Sequence, residues 1–256
     1  MQSSELSACV ELAVRAAEKA AAEILDVYDS GKFETESKGD NSPLTLADRK
    51  SHETIVEILA PTELPVLSEE GKMTPFEVRK RWEYFWMVDP LDGTKEFVKR
   101  NGEFTVNIAL VHKGAPVLGV VNVPVTGETY YATRGGGVFL KKNGVSTMLG
   151  KRGPTDLGRK GLRVVGSRSH MNAETEQFIA SLREPSFVSA GSSLKFLLLV
   201  NGQADVYPRF APTMEWDTAA AHAIANEAGL KVTQPATGEE IIYNKENLLN
   251  PYFLVS

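Results

Sequence analysis

Trp86-Met87-Val88-Asp89-Pro90-Leu91-Asp92-Gly93-Thr94-Lys95-Glu96-Phe97 changes from wholly apolar to acidic within a few residues. A short apolar run closed by turn residues is consistent with a buried strand. This one ends in two aspartates three residues apart. Gly93 and Thr94 follow, and Thr94 has the chemistry of a helix N-cap for the amphipathic segment beyond it. A strand that carries two carboxylates to its tip beside a helix start brings hard oxygen ligands next to free backbone N–H groups. That combination suits Mg²⁺ and phosphate together.

Working outward, Leu6, Val10, Ala13, Val14, Ala17, Ala20, Ala21, Ile24, Leu25 and Tyr28 recur at helical spacing, so a long first helix is expected, stopped near Gly31. Polar residues 34–42 lead to a second helix over about 43–59, with Ser42 as cap and Pro43 in its first turn. Val66-Leu67 reads as a short strand running into Ser68-Glu69-Glu70. From Phe104 to Met148 the pattern is that of an antiparallel sheet, with Asn143-Gly144 as a tight hairpin turn. Residues 150–161 are polar, with four basic residues against one acid, and are the candidate boundary between a 1–150 α+β subdomain and a 151–256 α/β subdomain. Past it, strands at 162–165, 187–188 and 204–207 alternate with helices at 172–182, 192–200 and 215–228, and late strands fall at Val232 and 253–255. The fold class is therefore α/β, an α+β layered sandwich of alternating helix and sheet layers.

A net charge of −5 over 256 residues argues against a general nucleic-acid binder, which presents a basic face. It leaves room for an anionic small molecule, because a bound metal reverses the local sign. Cys9 is the one cysteine, so no internal disulfide can form, as suits a reducing compartment. The start Met1-Gln2-Ser3-Ser4-Glu5 predicts no signal peptide, and no apolar run reaches about 18 residues, so no membrane span is expected. A cytoplasmic protein is anticipated, with peripheral contact to the inner membrane and the oligomeric state left open.

Acidic residues recur at element ends: Asp48, Glu69-Glu70, Asp89, Asp92, and Asp217 in the first turn of a helix. Converging carboxylates repel unless cations lie between them, and two or three Mg²⁺ ions would resolve this and bind phosphate oxygens. Each acid taken alone is also explained as a solvated residue at a helix start. The spacing Asp89-Pro90-Leu91-Asp92 fails an EF-hand loop, and the chain has no phosphate loop of the form G-x-x-x-x-G-K-S/T. A phosphatase with a nucleophilic aspartate in D-x-D-x-T/V is the rival. The three-residue spacing with Pro90 inside favours Asp89 as a ligand over Asp89 as a nucleophile.

Asp89-Pro90-Leu91-Asp92-Gly93-Thr94 resembles the first signature of the inositol monophosphatase superfamily of Mg²⁺-dependent, lithium-sensitive phosphatases. Glu215-Trp216-Asp217-Thr218-Ala219-Ala220 resembles the second, and Ser68-Glu69-Glu70 precedes both in the same order. The stretches 94–107, 167–170, 191–196 and 207–210 are similar to the branch of bacterial 3′(2′),5′-bisphosphate nucleotidases. The resemblance implies hydrolysis of the 3′-phosphate of adenosine 3′,5′-bisphosphate, or of its sulfated form, by direct attack of water. An inositol or sugar phosphatase on the same scaffold is the alternative, and a metal-dependent binding protein without turnover is another. It further implies that Glu69, Asp89 and the Leu91 carbonyl hold one Mg²⁺ and that Asp89, Asp92 and Asp217 hold a second, with Glu70 a candidate for a third. Thr94, backed by Asp48, would orient the water, and Gly93 and Thr94 N–H groups would receive the phosphate. His170, Ser192, Lys195 and Arg209 would bind the nucleotide and its second phosphate. His52, His112 and His222 are left as structural, and Trp82, Trp86 and Trp216 as packing anchors.

Overall fold

The apolar stripe of the first segment forms one long helix, α1 (Ser3–Ser30), in the computed structural model, which describes residues 1, 3–30, 35–37, 43–167 and 171–256. The expected stop at Gly31, the polar segment's residues 34 and 38–42 with the cap Ser42, and the candidate ligand His170 lie outside the described residues. Two short strands, β1 (Thr35–Ser37) and β2 (Pro43–Thr45), pair antiparallel. The second helix, α2 (Leu46–Leu59), starts three residues later than the sequence suggests, because Pro43 to Thr45 are drawn into that pairing.

The chain continues through β3 (Val66–Ser68), the single turn α3 (Phe76–Arg79), β4 (Tyr84–Asp92) and the short α4 (Thr94–Val98). Next come β5 (Thr105–His112), β6 (Ala115–Val123), β7 (Glu128–Thr133), β8 (Gly137–Lys142) and β9 (Val145–Leu149). β3 to β9 make one seven-stranded sheet in sequence order, antiparallel as expected except that β3 runs parallel to β4. Asn143-Gly144 is the turn between β8 and β9.

Both faces of this sheet are covered, which explains why β4 to β6 read as unbroken apolar runs. Trp86, Val88, Ile108, Leu110, Leu118 and Val120 point to α1 and α2. Phe85, Met87, Ala109, Val111 and Val121 point the other way, into a core completed by residues after 150. That second half comprises β10 (Arg163–Gly166), α5 (Ala173–Ser181), β11 (Ser186–Ser189), α6 (Leu194–Val200), β12 (Tyr207–Arg209), α7 (Ala219–Glu227), β13 (Val232–Thr233) and β14 (Phe253–Val255). Asn172 caps α5 by accepting the Thr175 N–H at 3.0 Å. Helices α6 and α7 form the layer against the large sheet. Beyond them lie the parallel pair β10–β11 and the antiparallel sheet β12–β14–β13, joined by a bridge between Val164 and Val206. Phe178 and Ile179 of α5 cover Val164, Val206 and Leu254 on the outside. Helix and sheet layers therefore alternate, in the α/β class anticipated. The helix expected over 215–228 divides into a 3₁₀ turn, Glu215–Asp217, and α7. Among the described residues no helix is long and apolar enough to cross a membrane. Trp86 and Trp216 are buried in the two cores, and His222 is buried with its Nδ1 2.9 Å from the Tyr243 hydroxyl.

Close approach of α7 to β6 depends on Gly119. A Cβ there would stand 2.0 Å from the Ala220 carbonyl oxygen and 3.0 Å from Ala223 Cβ. Neither neighbour is a flexible side-chain end, so Gly119→Ala must push α7 off the sheet. We expect a loss of about 2–3 kcal/mol, read from the denaturant midpoint. An unchanged midpoint would show that the layers slide freely.

Candidate functional site

A regular strand has period two, so residues three apart face opposite sides of a sheet. Asp89 and Asp92 nevertheless serve one side. Asp89 pairs with Asn107 and Asp92 with Thr105, so β4 spends three steps where β5 spends two. Thr105 and Asn107 share a face, and the extra residue in this bulge gives their two partners the same face. Pro90 has no N–H for the ladder, and it falls at the bulge, where it has no cross-strand partner. The bulge is pinned by Ser51 Oγ donating to Pro90 O at 2.6 Å and by Leu91 N donating to Asp89 Oδ1 at 3.1 Å.

The shared face is the one covered by the second half of the chain. Parallel pairing of β3 carries Glu69 alongside, its N–H donating to Val88 O at 3.1 Å. From the opposite layer the 3₁₀ turn before α7 presents Asp217, whose Oδ2 accepts the Met214 N–H at 2.9 Å. Ligand oxygens of Glu69, Asp89 and Asp217 all lie within 4.8 Å of one another. These three, with Leu91, Asp92, Gly93 and Thr94, line a cleft of about 340 Å³. Asp48 is buried in the first turn of α2, close enough to be felt by Asp89.

Burial holds the Asp89 carboxyl well above the usual carboxylate range, and the neighbouring charges of Glu69, Asp92, Asp217 and Asp48 raise it further. Asp217 is likewise raised by burial, then by Asp92 and Glu69. Asp92 is raised less, because Lys195 and the Ser193 N–H oppose its desolvation. Such a group of hard oxygen donors is costly when all are ionised and favourable once a divalent cation lies among them. The donor set therefore fits a metal.

Gly93 rather than Thr94 occupies the cap position of α4, correcting the sequence expectation. Its φ of +98 and its contact with Ser192 explain why: a Cβ would stand 2.3 Å from Ser192 Oγ. Thr94 is the first helical residue, and its hydroxyl lies 3.4 Å from Leu91 O.

A second pocket of about 120 Å³ shares Asp92, Gly93, Glu96 and Asp217 with the cleft and adds Ser192, Lys195, Tyr207 and Arg209. Lys195 is buried 5.6 Å from the centre of the Tyr207 ring, and Arg209 donates one N–H to Pro212 O at 2.8 Å. Ser192 lines this pocket, with its hydroxyl turned to the chain itself. Its hydroxyl is 2.8 Å from both Asp92 O and Glu103 O, so its one proton is committed to the protein backbone. Ser193, Asn107 and Tyr207 lie in the stretches that carry the resemblance, which gives none of them a role. A polar Asn107 inside an otherwise apolar strand was the available signal for that residue.

Residues 5–252 match the model of the inositol monophosphatase family. The chain belongs to the inositol monophosphatase family. Within it, the chain is similar to the 3′(2′),5′-bisphosphate nucleotidase CysQ of Escherichia coli (strain K12), 48% identical over 238 residues that cover 91% of this chain and 93% of that protein. The protein of the same name from Haemophilus influenzae is 36% identical over 245 residues, covering 91% and 90%. The crystal structure of CysQ from Bacteroides thetaiotaomicron matches with a TM-score of 0.84 at 49% identity, covering 97% of each chain. An inositol monophosphatase of Thermotoga maritima, 24% identical, shares the fold at a TM-score of 0.76 over 96% of this chain and 91% of its own. Inositol monophosphatase family enzymes are metal-dependent, in keeping with the acidic cluster seen here.

Proposed function

We propose that this chain is a Mg²⁺-dependent 3′(2′),5′-bisphosphate nucleotidase that releases the 3′-phosphate of adenosine 3′,5′-bisphosphate, or of its sulfated form, to leave the 5′-nucleotide. One observation carries the choice of substrate. The carboxylate cleft and a pocket holding a buried Lys195 with Arg209 are joined along a common wall. A bisphosphate places one anion in each. A monophosphate ester of inositol would leave Lys195 beside the like charge of Arg209 with no phosphate between them, balanced only by the cleft carboxylates, Asp92 first. The names of the nucleotidase relatives support the same reading.

Glu69, Asp89, the Leu91 carbonyl, Asp92 and Asp217 would hold two Mg²⁺ ions, with Glu70 available to a third. Bound there, the cations supply charge neutralisation for the phosphate oxygens and lower the pKa of a water nucleophile. The chain's own groups do the rest. Thr94 Oγ1, at the cleft wall and 3.4 Å from Leu91 O, orients that water, and Asp48 is the acceptor assigned to its proton. Gly93 and Thr94 N–H groups receive the phosphate oxygens. Lys195 and Arg209 fix the second phosphate, which aligns the ester bond for in-line attack.

Phosphate release should be measured on adenosine 3′,5′-bisphosphate and on inositol 1-phosphate, with Mg²⁺ and with chelator. Much faster turnover of the inositol ester would sink the nucleotidase assignment.

Lys195 gives this reading a pH signature. Burial, opposed by Asp92, lowers its ammonium to about 8. The cation that receives the second phosphate is therefore present below that pH and lost above it. KM for the bisphosphate is expected to climb as pH passes 8, with kcat moving less. Lys195→Met should raise KM roughly tenfold or more at pH 7, by loss of a charge-assisted contact, and flatten the dependence. A KM that climbs identically in the variant would exclude Lys195 as its source.

A further inference from the structure

Two adjacent serines stand between the turns that carry the metal ligands. Ser192 Oγ reaches Asp92 O at 2.8 Å, at the end of β4. Ser193 Oγ donates to Asp217 O at 2.9 Å, in the 3₁₀ turn before α7. Ser193 is 2% exposed and occupies the N-cap position of α6, yet its hydroxyl does not cap that helix. The hydroxyl is given to a separate element instead. Ser192 sits at a φ of +45, a conformation that a serine adopts at a cost and keeps only where its surroundings demand it. Its own carbonyl accepts from Lys195 Nζ at 2.6 Å. The cation of the anion pocket is thus bonded to the same two-residue segment that grips both ligand turns.

We infer that Ser193 is a positioning residue which, with Ser192, ties the anion pocket to the metal cleft, so that an anion held by Lys195 sets the spacing of Asp92 and Asp217 for metal. From the proposed function this takes only that Lys195 receives an anion. Lys195 Nζ gives two of its three N–H donors to Ser192 O and Ala190 O, so an anion on the third draws on the ammonium that holds Ser192, and Ser192 is linked to both turns through its hydroxyl and its neighbour. Binding at either site then alters affinity at the other, by the same factor in both directions.

Mg²⁺ titrations of the full chain, followed by calorimetry and by tryptophan fluorescence, to which Trp216 beside Asp217 contributes, test this without turnover. Wild-type protein, Ser193→Ala and Ser193→Cys are compared alone and with AMP; the cysteine keeps the volume of the serine but is a weak donor. Circular dichroism establishes that each variant is folded. Both variants are expected to bind Mg²⁺ about fivefold more weakly, the worth of one hydrogen bond. AMP is expected to tighten Mg²⁺ binding at least about fivefold in wild type and less than twofold in the variants. Wild-type Mg²⁺ affinity in both variants would overturn the tie to Asp217. Weaker Mg²⁺ binding with undiminished AMP coupling would overturn the transmission, since a merely structural serine would leave the coupling alone. If wild-type protein binds no AMP, the nucleotide assignment fails, and the nucleotide-free titrations still decide the tie to Asp217.

Discussion

Asp89→Asn is expected to remove phosphate release by about a thousandfold or more and, in the same step, to make the metal-free protein more resistant to heat. Asn is nearly isosteric, and its Oδ1 can still accept the Leu91 N–H that Asp89 Oδ1 accepts at 3.1 Å. The local turn therefore survives while the charge is lost. That charge is what a cation requires and what the metal-free fold resists. The sign follows from proton linkage. Folding raises the proton affinity of Asp89, through burial first and then through Glu69, Asp92, Asp217 and Asp48. Above the usual carboxylate range the native state thus holds a proton that the unfolded state has released, and stability falls as pH rises through that window. Asn carries no such penalty. The gain in melting temperature should be largest at the alkaline end and vanish in acid, at about 2–4 °C for each kcal/mol in a chain of this size. Mg²⁺ should raise the melting temperature of wild-type protein at pH 8 and leave that of Asp89→Asn nearly unmoved. A variant that melts lower than wild type in chelator at pH 8, or that keeps a full response to Mg²⁺, would show that Asp89 is not the electrostatic centre of the cluster.

How much of this was legible beforehand depends on the range of the forces involved. The apolar run at 85–88 and the acids beyond it mark the strand and its tip, because burial of both sheet faces leaves a local signature. The direction of the two carboxylates is not local. Spacing alone would put Asp89 and Asp92 on opposite faces, and only pairing with Asn107 and Thr105 reveals the bulge that aligns them. The start of α2 was misplaced for a similar reason, since Pro43 and Ser42 are good helix-start chemistry and a strand partner at 35–37 overrides them. Thr94 has the composition of a cap, yet the turn needs a backbone at φ +98, with no Cβ facing Ser192, and that selects Gly93. The resemblance implies a Ser192 at a helix N-terminus that donates to the nucleotide. The fold instead brings Asp92 O and Glu103 O within reach of its hydroxyl.

The same contrast hides the second pocket from the sequence. Lys195 read alone is an ordinary solvated helix residue. Burial in α6 against Tyr207, within the field of Asp92, turns it into a desolvated cation poised near neutrality. The neighbouring charge of Arg209 disfavours that ammonium, and the placement of two cations beside a carboxylate cleft is what makes a two-phosphate substrate the economical explanation.

Thr94→Ala is expected to lower kcat by about 10²–10³-fold while KM and the Mg²⁺ affinity stay within about twofold of wild type. The variant is a clean probe because so little of the fold depends on the hydroxyl. Thr94 is half-buried at the cleft wall, and its one resolved partner, Leu91 O, is at 3.4 Å, a long and weak bond. Alanine has the higher helix propensity, so α4 should form at least as readily. The proposed metal ligands come from the end of β3, from β4 and from the turn before α7, and the Thr94 side chain touches them only through that long bond to Leu91 O. What disappears is a group that acts only when water is in flight toward phosphorus, and such a loss falls on kcat alone. Thr94→Ser keeps the hydroxyl and should retain most of the turnover, which separates loss of the oxygen from loss of the methyl group. Turnover of Thr94→Ala within threefold of wild type would remove Thr94 from the mechanism. An equal rise in KM and in the Mg²⁺ requirement would move it from orienting water to holding the ground-state complex.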